Sequence, residues 1–356
     1  MNFSPQIKDL LENTDSIFND SEKLSCGTVV FRNIAGFPFE SSLTDIERSV
    51  LQKQVLDVLN LEDVKEKLPS YYVMMTKDLS SIDINLLEER KLLNKEQIKE
   101  HSMLLFAKDG TFSMLLNGLE HIMFRFIDFN SNLDKVADKI LDFEKTLSAH
   151  LTFLWEPKFG YLMENLRCLG CGFFAWYSLC LYHMDSFQDA KSKYELNQKF
   201  EDISLQIDFY YRHQKVQNLY VISNLATLGQ DEFQIIKQLK NASDLILQKE
   251  KHYLDTMKPE YYMDNLSRAY STLKYSYYLS FSEMLGHAFY LKKAIQHGIV
   301  SSISISDLMS LVTHTSPAHL NFLMEKKLTA EEQCIIRAKI FRDNLGGPSD
   351  LSVAYQ

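Results

Sequence analysis

In several segments of the first part of the chain, apolar and polar residues alternate with a period of two, whereas in its other segments, and from about residue 230 onward, apolar residues recur every three or four positions. The first period is typical of strands with one buried face, and the second is typical of amphipathic helices. Strands are therefore predicted at 25–32, 71–75, 103–107 and 112–117, and over most of 202–224. Helices are predicted at 2–13, 43–59, 131–149, 186–198, 230–256, 260–280, 283–297, 304–312, 317–326 and 329–345.

Local signals fix several ends of these elements. Lys108-Asp109-Gly110 is typical of a hairpin turn between two strands. Pro317 directly after Ser316 favours a helix start, and Thr329 with Glu332 predicts a capping box. Gly298 is placed to end a helix.

The stretch 159–184 is the least ordinary part of the pattern. Two glycines, Gly170 and Gly172, flank Cys171, and a continuous apolar run from Phe173 to Leu181 follows. The run is too short for a membrane span. On pattern alone we expect a buried helix that is entered through a glycine turn.

Composition places the chain among globular proteins of two domains. It has 356 residues, 46% of them hydrophobic, and a formal net charge of −9, which argues against nucleic acid as the main partner. The five cysteines are odd in number and irregularly spaced, and the N-terminus is polar and amphipathic rather than a signal peptide. We therefore expect free thiols, a reducing cytoplasmic location and no membrane association.

Generic catalytic motifs give no assignment. Cys168 and Cys171 form a CxxC, but a single pair without a second pair or a histidine at ligand spacing is a weak indication of zinc or redox chemistry. The sequence holds no Walker A motif, nucleophile elbow or HExxH.

Short motifs in one consistent order carry a stronger signal. They are RNIAGFPF from Arg32, LLEERKLLNKE from Leu86, NGLEHIMFRF from Asn117, GYLMENLRCLGCGFFA from Gly160 and SNLATLGQDE from Ser223. In these motifs, and in the C-terminal TSPAHLNFLMEKKLTAEEQCIIRAK, the chain resembles McsB-type bacterial protein-arginine kinases and their arginine and creatine kinase relatives over roughly residues 24–345.

The resemblance implies an α+β fold, in which an antiparallel sheet flanked by helices precedes an all-α C-terminal domain. The implied division is an N-terminal helical segment at 1–23, a guanidino-kinase-like domain at 24–255, a helical domain at 256–345 and a disordered tail at 346–356.

When the motifs are matched in this way, the family's catalytic and phosphate-binding side chains are missing from this chain. Leu119 stands at the position of an acid that orients the guanidinium, and Asn165 stands at the position of the reactive cysteine. The positions of the family's phosphate-binding arginines are Gly27, Val29, Met123, Phe174 and Ala226. Gln333 and Cys334 replace the arginine–aspartate pair of the family's phosphoarginine pocket.

Some family residues remain. Glu232 matches the second catalytic carboxylate, although an acid in the first turn of a helix also has a structural reason. His121 matches the family, but a lone histidine beside a strand is more often a satisfied core group. The candidates for compensating nucleotide-binding arginines are Arg32, Arg90, Arg125 and Arg167.

The sequence therefore predicts a family member that has lost kinase chemistry and acts as a binding or scaffold protein. No cofactor is expected. The alternative is an active ATP-dependent protein-arginine kinase with a rebuilt site, which would use ATP and Mg²⁺. By analogy the partners would be a McsA-like adaptor or a Clp-type unfoldase, and a homodimer through residues 260–345 is predicted.

Overall fold

The computed structural model describes residues 4–12, 17–19, 21–182, 205–209 and 218–345. Within these residues the strands are β1 (Lys23–Arg32), β2 (Tyr71–Met75), β3 (Met103–Ala107), β4 (Phe112–Leu116), β5 (Ile122–Asp128), β6 (Trp155–Glu156), β7 (Gly160–Tyr161), β8 (Phe173–Cys180), β9 (Leu205–Phe209) and β10 (Leu219–Asn224). Eight of these described strands form one sheet in the order β2-β3-β4-β5-β1-β8-β10-β9, while β6 and β7 form a small hairpin. Every pairing in the large sheet is antiparallel, which confirms the predicted fold class.

Helices lie on both faces of this sheet and make up the C-terminal part of the described chain. They are α1 (Pro5–Glu12), α2 (Asp45–Leu59), α3 (Glu62–Lys65), α4 (Ser81–Glu89), α5 (Leu133–Ser148), α6 (Glu232–Thr256), α7 (Pro259–Tyr275), α8 (Phe281–Gln296), α9 (Ile305–His314), α10 (Pro317–Leu323) and α11 (Ala330–Asn344). The predicted proline start of α10 and the capping box of α11 are confirmed. The predicted helix at 186–198 and the tail after 345 lie outside the described residues.

The expectation of a helix for the apolar run after Gly172 was wrong. Residues Phe173–Cys180 form β8, which pairs with β1 on one side and β10 on the other. A strand covered on both faces is apolar throughout, so periodicity alone does not separate it from a buried helix.

Strand β1 lies at the middle of the sheet and sends side chains into two different cores. Val30 belongs to the core beneath α5 and α6, whereas Phe31 belongs to the core on the opposite face, beneath α1 and α4. Because neighbouring residues of a strand point to opposite faces, odd-numbered residues from Gly27 to Phe31 share the second face.

The C-terminal helices α7 to α11 surround a core of their own that also reaches the ends of β8 and β10. Tyr270, Phe289 and Phe341 lie in it together with Tyr182 and Leu219. Helix α10 also contacts α4 of the sheet layer. The predicted boundary near residue 255 falls at the end of α6, and the division into domains stays a prediction. In the part of the chain that the structure describes, no helix is both long and apolar enough to cross a membrane.

Candidate functional site

Four of the five positions aligned with phosphate-binding arginines lie on one face of the sheet. The strand register places Val29 opposite Phe174 on β8 and opposite Arg125 on β5. Phe31, two residues further along the same face of β1, lies opposite Met123. Gly27 precedes Val29 on that face. The structure therefore brings Gly27, Val29, Met123 and Phe174 together, and we call these four residues the cage face.

Aromatic rings cover the cage face. Phe31 and Phe174 meet edge to face with their ring centroids 5.9 Å apart. The ring of Trp176 lies against Gly27, so that a Cβ at residue 27 would be 2.6 Å from Cζ2 of the indole and 2.9 Å from the carbonyl oxygen of Phe126. Because Gly27 has no side chain, the indole ring of Trp176 can pack against the backbone of β1. Sequence reasoning missed Trp176, because its only signal is a large aromatic residue two positions after Phe174.

Ala226, the fifth position, lies in the loop after β10 and offers only a methyl group. Asn224 fixes this loop to the start of β8. Its side chain accepts a hydrogen bond from the Ala175 amide at 2.8 Å and donates to the carbonyls of Phe173 and Ala226 at 3.0 and 3.2 Å.

Among the candidate compensating arginines, Arg32 is fully buried and points to the other face of the sheet. Its Nε donates to Glu144 of α5 at 2.7 Å, and its Nη1 donates to the carbonyl of Cys171 at 2.9 Å. The ring of Tyr161 stacks on the guanidinium at 3.6 Å. These contacts join β1 to α5 and to the glycine turn, which is a structural role.

Arg125 shares the face of Met123, but its guanidinium is tied to the neighbouring loop. It donates to the carbonyl of Lys91 at 2.6 Å and to Oε1 of Gln97 at 3.2 Å. Burial lowers the pKa of Arg125 to about 10. Its side chain is therefore held and desolvated rather than presented to a ligand.

The two remaining candidates differ in exposure. Arg90 is buried and its Nε donates to His319 of α10 at 2.9 Å. Arg167 is exposed on the short 3₁₀ helix Leu166–Cys168.

The segment that carries Asn165 is held by a buried carboxylate, Glu120. This group accepts hydrogen bonds from the Asn33 side chain at 2.6 Å and from the amides of Glu164 and Asn165 at 3.1 and 2.9 Å. Burial raises the pKa of Glu120, and the three hydrogen bonds act in the opposite direction. The sequence analysis singled out Leu119 and missed its neighbour Glu120. The only indication in the sequence was that Glu120 is an acidic residue close to an apolar strand.

Asn165 and His121 both have local structural partners. The Asn165 side chain accepts from the Arg167 amide at 3.1 Å and so caps the 3₁₀ helix. His121 is buried, with the Ile34 amide 3.0 Å from its Nδ1 and the Pro38 carbonyl 2.8 Å from its Nε2. His121 is thus the satisfied core histidine that the sequence favoured.

The retained acid, Glu232, lies in the first turn of α6, away from the cage face. Its neighbour Asp231 caps that helix by accepting from the Gln234 amide at 2.7 Å. Burial raises the pKa of Glu232, the charge of Glu144 acts in the same direction and Arg32 opposes it. The charged groups that act on Glu232 therefore belong to the α5 side of the sheet, whereas Val29 and Phe174 face the other side.

Gln333 and Cys334, at the positions of the family's phosphoarginine pocket, contact other parts of the C-terminal helices. Gln333 donates to the carbonyl of Pro317 at 3.3 Å and to Oδ1 of Asn321 at 3.4 Å, and Cys334 is buried.

Cys168 and Cys171, the two cysteines of the CxxC, are free thiols in the structure. All five cysteines are free, and burial raises the pKa of Cys171 to about 11 and that of Cys168 to about 12. Thiols with raised pKa values are poor nucleophiles and poor metal ligands. Within the described residues no group of three potential ligands could hold a metal ion.

These residues do not fit a nucleoside triphosphate at the cage face. Phosphoryl transfer needs cations around the triphosphate, and charge-assisted contacts cannot be made by apolar side chains. Here the aligned positions carry glycine, valine, methionine and phenylalanine, and an indole fills the space beside Gly27.

Comparison with known proteins agrees with this architecture. Residues 50–253, more than half of the chain, match the family model for the ATP:guanido phosphotransferase C-terminal catalytic domain, and residues 259–353 match the model for the protein-arginine kinase McsB C-terminal domain.

Curated relatives extend over nearly the whole chain. The chain is 28% identical over 347 residues to a protein-arginine kinase of Clostridium novyi, covering 95% of this chain and 99% of the relative. It is 26% identical over 321 residues to one of Clostridium perfringens, covering 89% and 94%.

Solved structures of related fold are more distant. Lombricine kinase superposes with a TM-score of 0.57 at 17% identity, covering 68% of this chain and 70% of that one. The duplicated taurocyamine kinase from Schistosoma mansoni superposes with a TM-score of 0.57 at 18% identity, covering 77% and 40%. These similarities show the fold.

Proposed function

The chain belongs to the ATP:guanido phosphotransferase family, within its McsB-type protein-arginine kinase branch, and we propose that it has lost phosphotransfer and acts as a binding or scaffold protein. The observation that carries this proposal is the cage face. Its four residues lie together on the sheet, and their side chains offer only apolar surface. Loss of one preorganised donor costs on the order of 3 kcal/mol of transition-state stabilisation, and a whole cage acts as a unit.

The environment of the candidate arginines also supports the proposal. Arg32 pairs with Glu144, Arg125 is bonded to the loop at Lys91 and Gln97, and Arg90 is bonded to His319. Recruiting any of these three to a phosphate would break buried contacts. The alternative, a kinase with a rebuilt nucleotide site, therefore rests chiefly on the exposed Arg167.

A turnover assay tests the proposal. The full chain is incubated with ATP, Mg²⁺ and an arginine-rich protein substrate, and both phosphate release and phosphoarginine are measured. An active protein-arginine kinase of the family serves as the positive control. We expect no signal above that of a sample without protein. Phosphoarginine formation that depends on this chain, and is lost in Arg167→Ala, would favour the rebuilt kinase.

Partners and assembly are proposed by analogy with the branch. A McsA-like adaptor or a Clp-type unfoldase is the partner class, and the helical layer is the proposed dimer contact. Four tyrosines of these helices have at least half of their surface exposed: Tyr261 (65%), Tyr275 (50%), Tyr277 (78%) and Tyr278 (56%). Tyr270, by contrast, lies in the core. Aromatic residues are favoured in interfaces.

Light scattering at micromolar concentration tests the dimer. We expect twice the monomer mass of 41.4 kDa, reduced by a Tyr277→Ser/Tyr278→Ser double substitution. A monomeric mass for the unmodified chain would count against the dimer.

We also propose that the protein is cytoplasmic. All five cysteines are free thiols, as is usual in a reducing compartment.

A further inference from the structure

A buried chain of hydrogen bonds connects the sheet layer to the C-terminal helices where α4 ends and α10 begins. Glu89 at the end of α4 accepts from the Ser316 hydroxyl at 2.6 Å and from the Ala318 amide at 2.8 Å. Its Oε2 also lies 2.8 Å from Nδ1 of His319. On the other side of the ring, Nε of Arg90 donates to Nε2 of His319 at 2.9 Å. We call Glu89, Arg90, Ser316 and His319 the latch.

The contacts fix one protonation state of the histidine. Arg90 Nε always carries a proton and has no acceptor capacity, so Nε2 of His319 must be the acceptor. The proton of a neutral ring is then on Nδ1, which lies 2.8 Å from the Glu89 carboxylate and 2.7 Å from the Ser316 hydroxyl oxygen, both of which can accept it. A second proton, on Nε2, would point at the Arg90 N–H across 2.9 Å in an environment from which water is excluded.

The charged groups around His319 are known from each neighbouring element. Glu89 and Arg90 come from α4, and the ring of His314 of α9 lies 6.3 Å from that of His319. Arg337 of α11 donates to the carbonyl of Thr315 beside Ser316, and the charge of Glu89 acts on it. Burial lowers the pKa of His319, Arg90 and His314 act in the same direction, and Glu89 opposes them.

We propose that the latch is an acid-sensitive connection between the sheet layer and the C-terminal helices, closed when His319 is neutral and released when it is protonated. This inference does not depend on loss of kinase activity, because none of the latch residues belongs to the cage face. Phe322, further along α10, also packs against the core beneath α1 and α4 and keeps this contact when the latch opens, so release frees the start of α10 rather than unfolding the chain.

The direction of the pH effect follows from linkage. In the closed latch, His319 binds a proton less readily than an ordinary histidine, whose pKa is about 6.5. The stabilisation from the closed latch is therefore complete above about pH 6.5 and decreases as the pH falls below it, until the lowered pKa is reached. For one proton, the opening equilibrium should increase between pH 7.5 and 5.5 by at most about tenfold, the limit that is reached when the closed latch binds no proton over this range.

Two measurements on the full chain test the latch. In the unmodified protein, ¹⁵N-histidine NMR at pH 7.5 should show His319 neutral with its proton on Nδ1. Hydrogen exchange of the peptide that spans residues 316–323, corrected for intrinsic rates, should show protection that falls severalfold, by at most about tenfold, between pH 7.5 and 5.5.

Two matched substitutions assign the effect. His319→Gln keeps an acceptor for Arg90 but cannot be protonated, so its protection should be independent of pH. His314→Gln, at the neighbouring histidine, should retain the pH dependence of the unmodified protein. A His319 that is charged or protonated on Nε2 at pH 7.5, a flat pH profile in the unmodified protein, or an unchanged profile in His319→Gln would each overturn the latch. The NMR result and the pH profile of hydrogen exchange, both measured on the unmodified protein, keep the test decisive even if His319→Gln does not fold.

Discussion

At the scale of single residues, Glu120 is a structural acid on which the position of the segment around Asn165 depends. Its carboxylate accepts three hydrogen bonds while being 1% exposed. Glu120→Ala leaves these donors unsatisfied and should lower the free energy of unfolding by about 2–4 kcal/mol, with Glu120→Gln losing less. Urea denaturation measures the change.

The matched control is the exposed neighbour Glu164, which accepts one hydrogen bond, from the Ser41 amide at 3.2 Å. Glu164→Ala should change stability by less than about 1 kcal/mol. Similar losses for the two alanine variants would show that Glu120 is not the anchor.

Gly27 and Trp176 form a second residue-scale pair. Because Gly27 lies in a regular strand, only the lack of space excludes a side chain. Gly27→Ala should therefore lower stability by about 1–3 kcal/mol, since its Cβ would lie 2.6 Å from the indole. In a Trp176→Ser background the cost of the same substitution should be smaller, with the Phe126 carbonyl as the remaining close contact.

A double-mutant cycle in thermal or urea unfolding measures this coupling. Equal costs of Gly27→Ala in the two backgrounds would contradict the packing described for the cage face.

The sequence was sufficient to match individual residues to positions in the family's motifs, because such matching needs only the order of residues along the chain. It could not predict that Arg32 points away from Val29 towards Glu144, because that partner is 112 residues away along the chain. The same holds for Arg90 and His319, which are 229 residues apart. Trp176 and Glu120 were missed because each acts through a partner on another strand or loop.

At the scale of elements, the Arg32–Glu144 ion pair joins the central strand β1 to α5. Both groups are buried, Arg32 fully. Glu144→Gln leaves the guanidinium without a counter-charge and should cost about 3–5 kcal/mol, whereas replacing both residues (Arg32→Met with Glu144→Leu) should cost less than the single change.

An exposed pair on the same helix provides the control. Asp142 of α5 pairs with Lys67 at 2.7 Å, and Asp142→Asn should cost no more than about 1 kcal/mol. The role given to Arg32 would be wrong if Glu144→Gln were as mild as Asp142→Asn in urea unfolding.

Elements were predicted well where the pattern has one exposed face. α5 falls close to its predicted limits, because one side of its helical period is polar and exposed. β8 was misassigned, because its neighbours β1 and β10 and the two faces of the sheet leave no polar side to its pattern.

At the scale of the whole molecule, the order of motifs along the chain predicted an antiparallel sheet followed by helices. It could not give the strand order, in which β1 lies between β5 and β8. That order places Val29 against Phe174 and so brings four of the five aligned positions onto one face of the sheet.

The apolar cage face bears directly on whether this protein binds a nucleotide. An ATP tail carries about four negative charges at neutral pH, and a chain with a formal net charge of −9 and no arginine at the cage positions should not attract it. Val29→Arg or Phe174→Arg alone should not restore binding, because a phosphate cage acts as a unit.

Isothermal titration of the unmodified chain with ATP and Mg²⁺ measures this binding. We expect no binding tighter than millimolar, for the unmodified chain and for both single back-substitutions. Micromolar binding by the unmodified chain that is lost in Arg167→Ala, or on replacing Arg90 or Arg125 in a protein that remains folded, would contradict it.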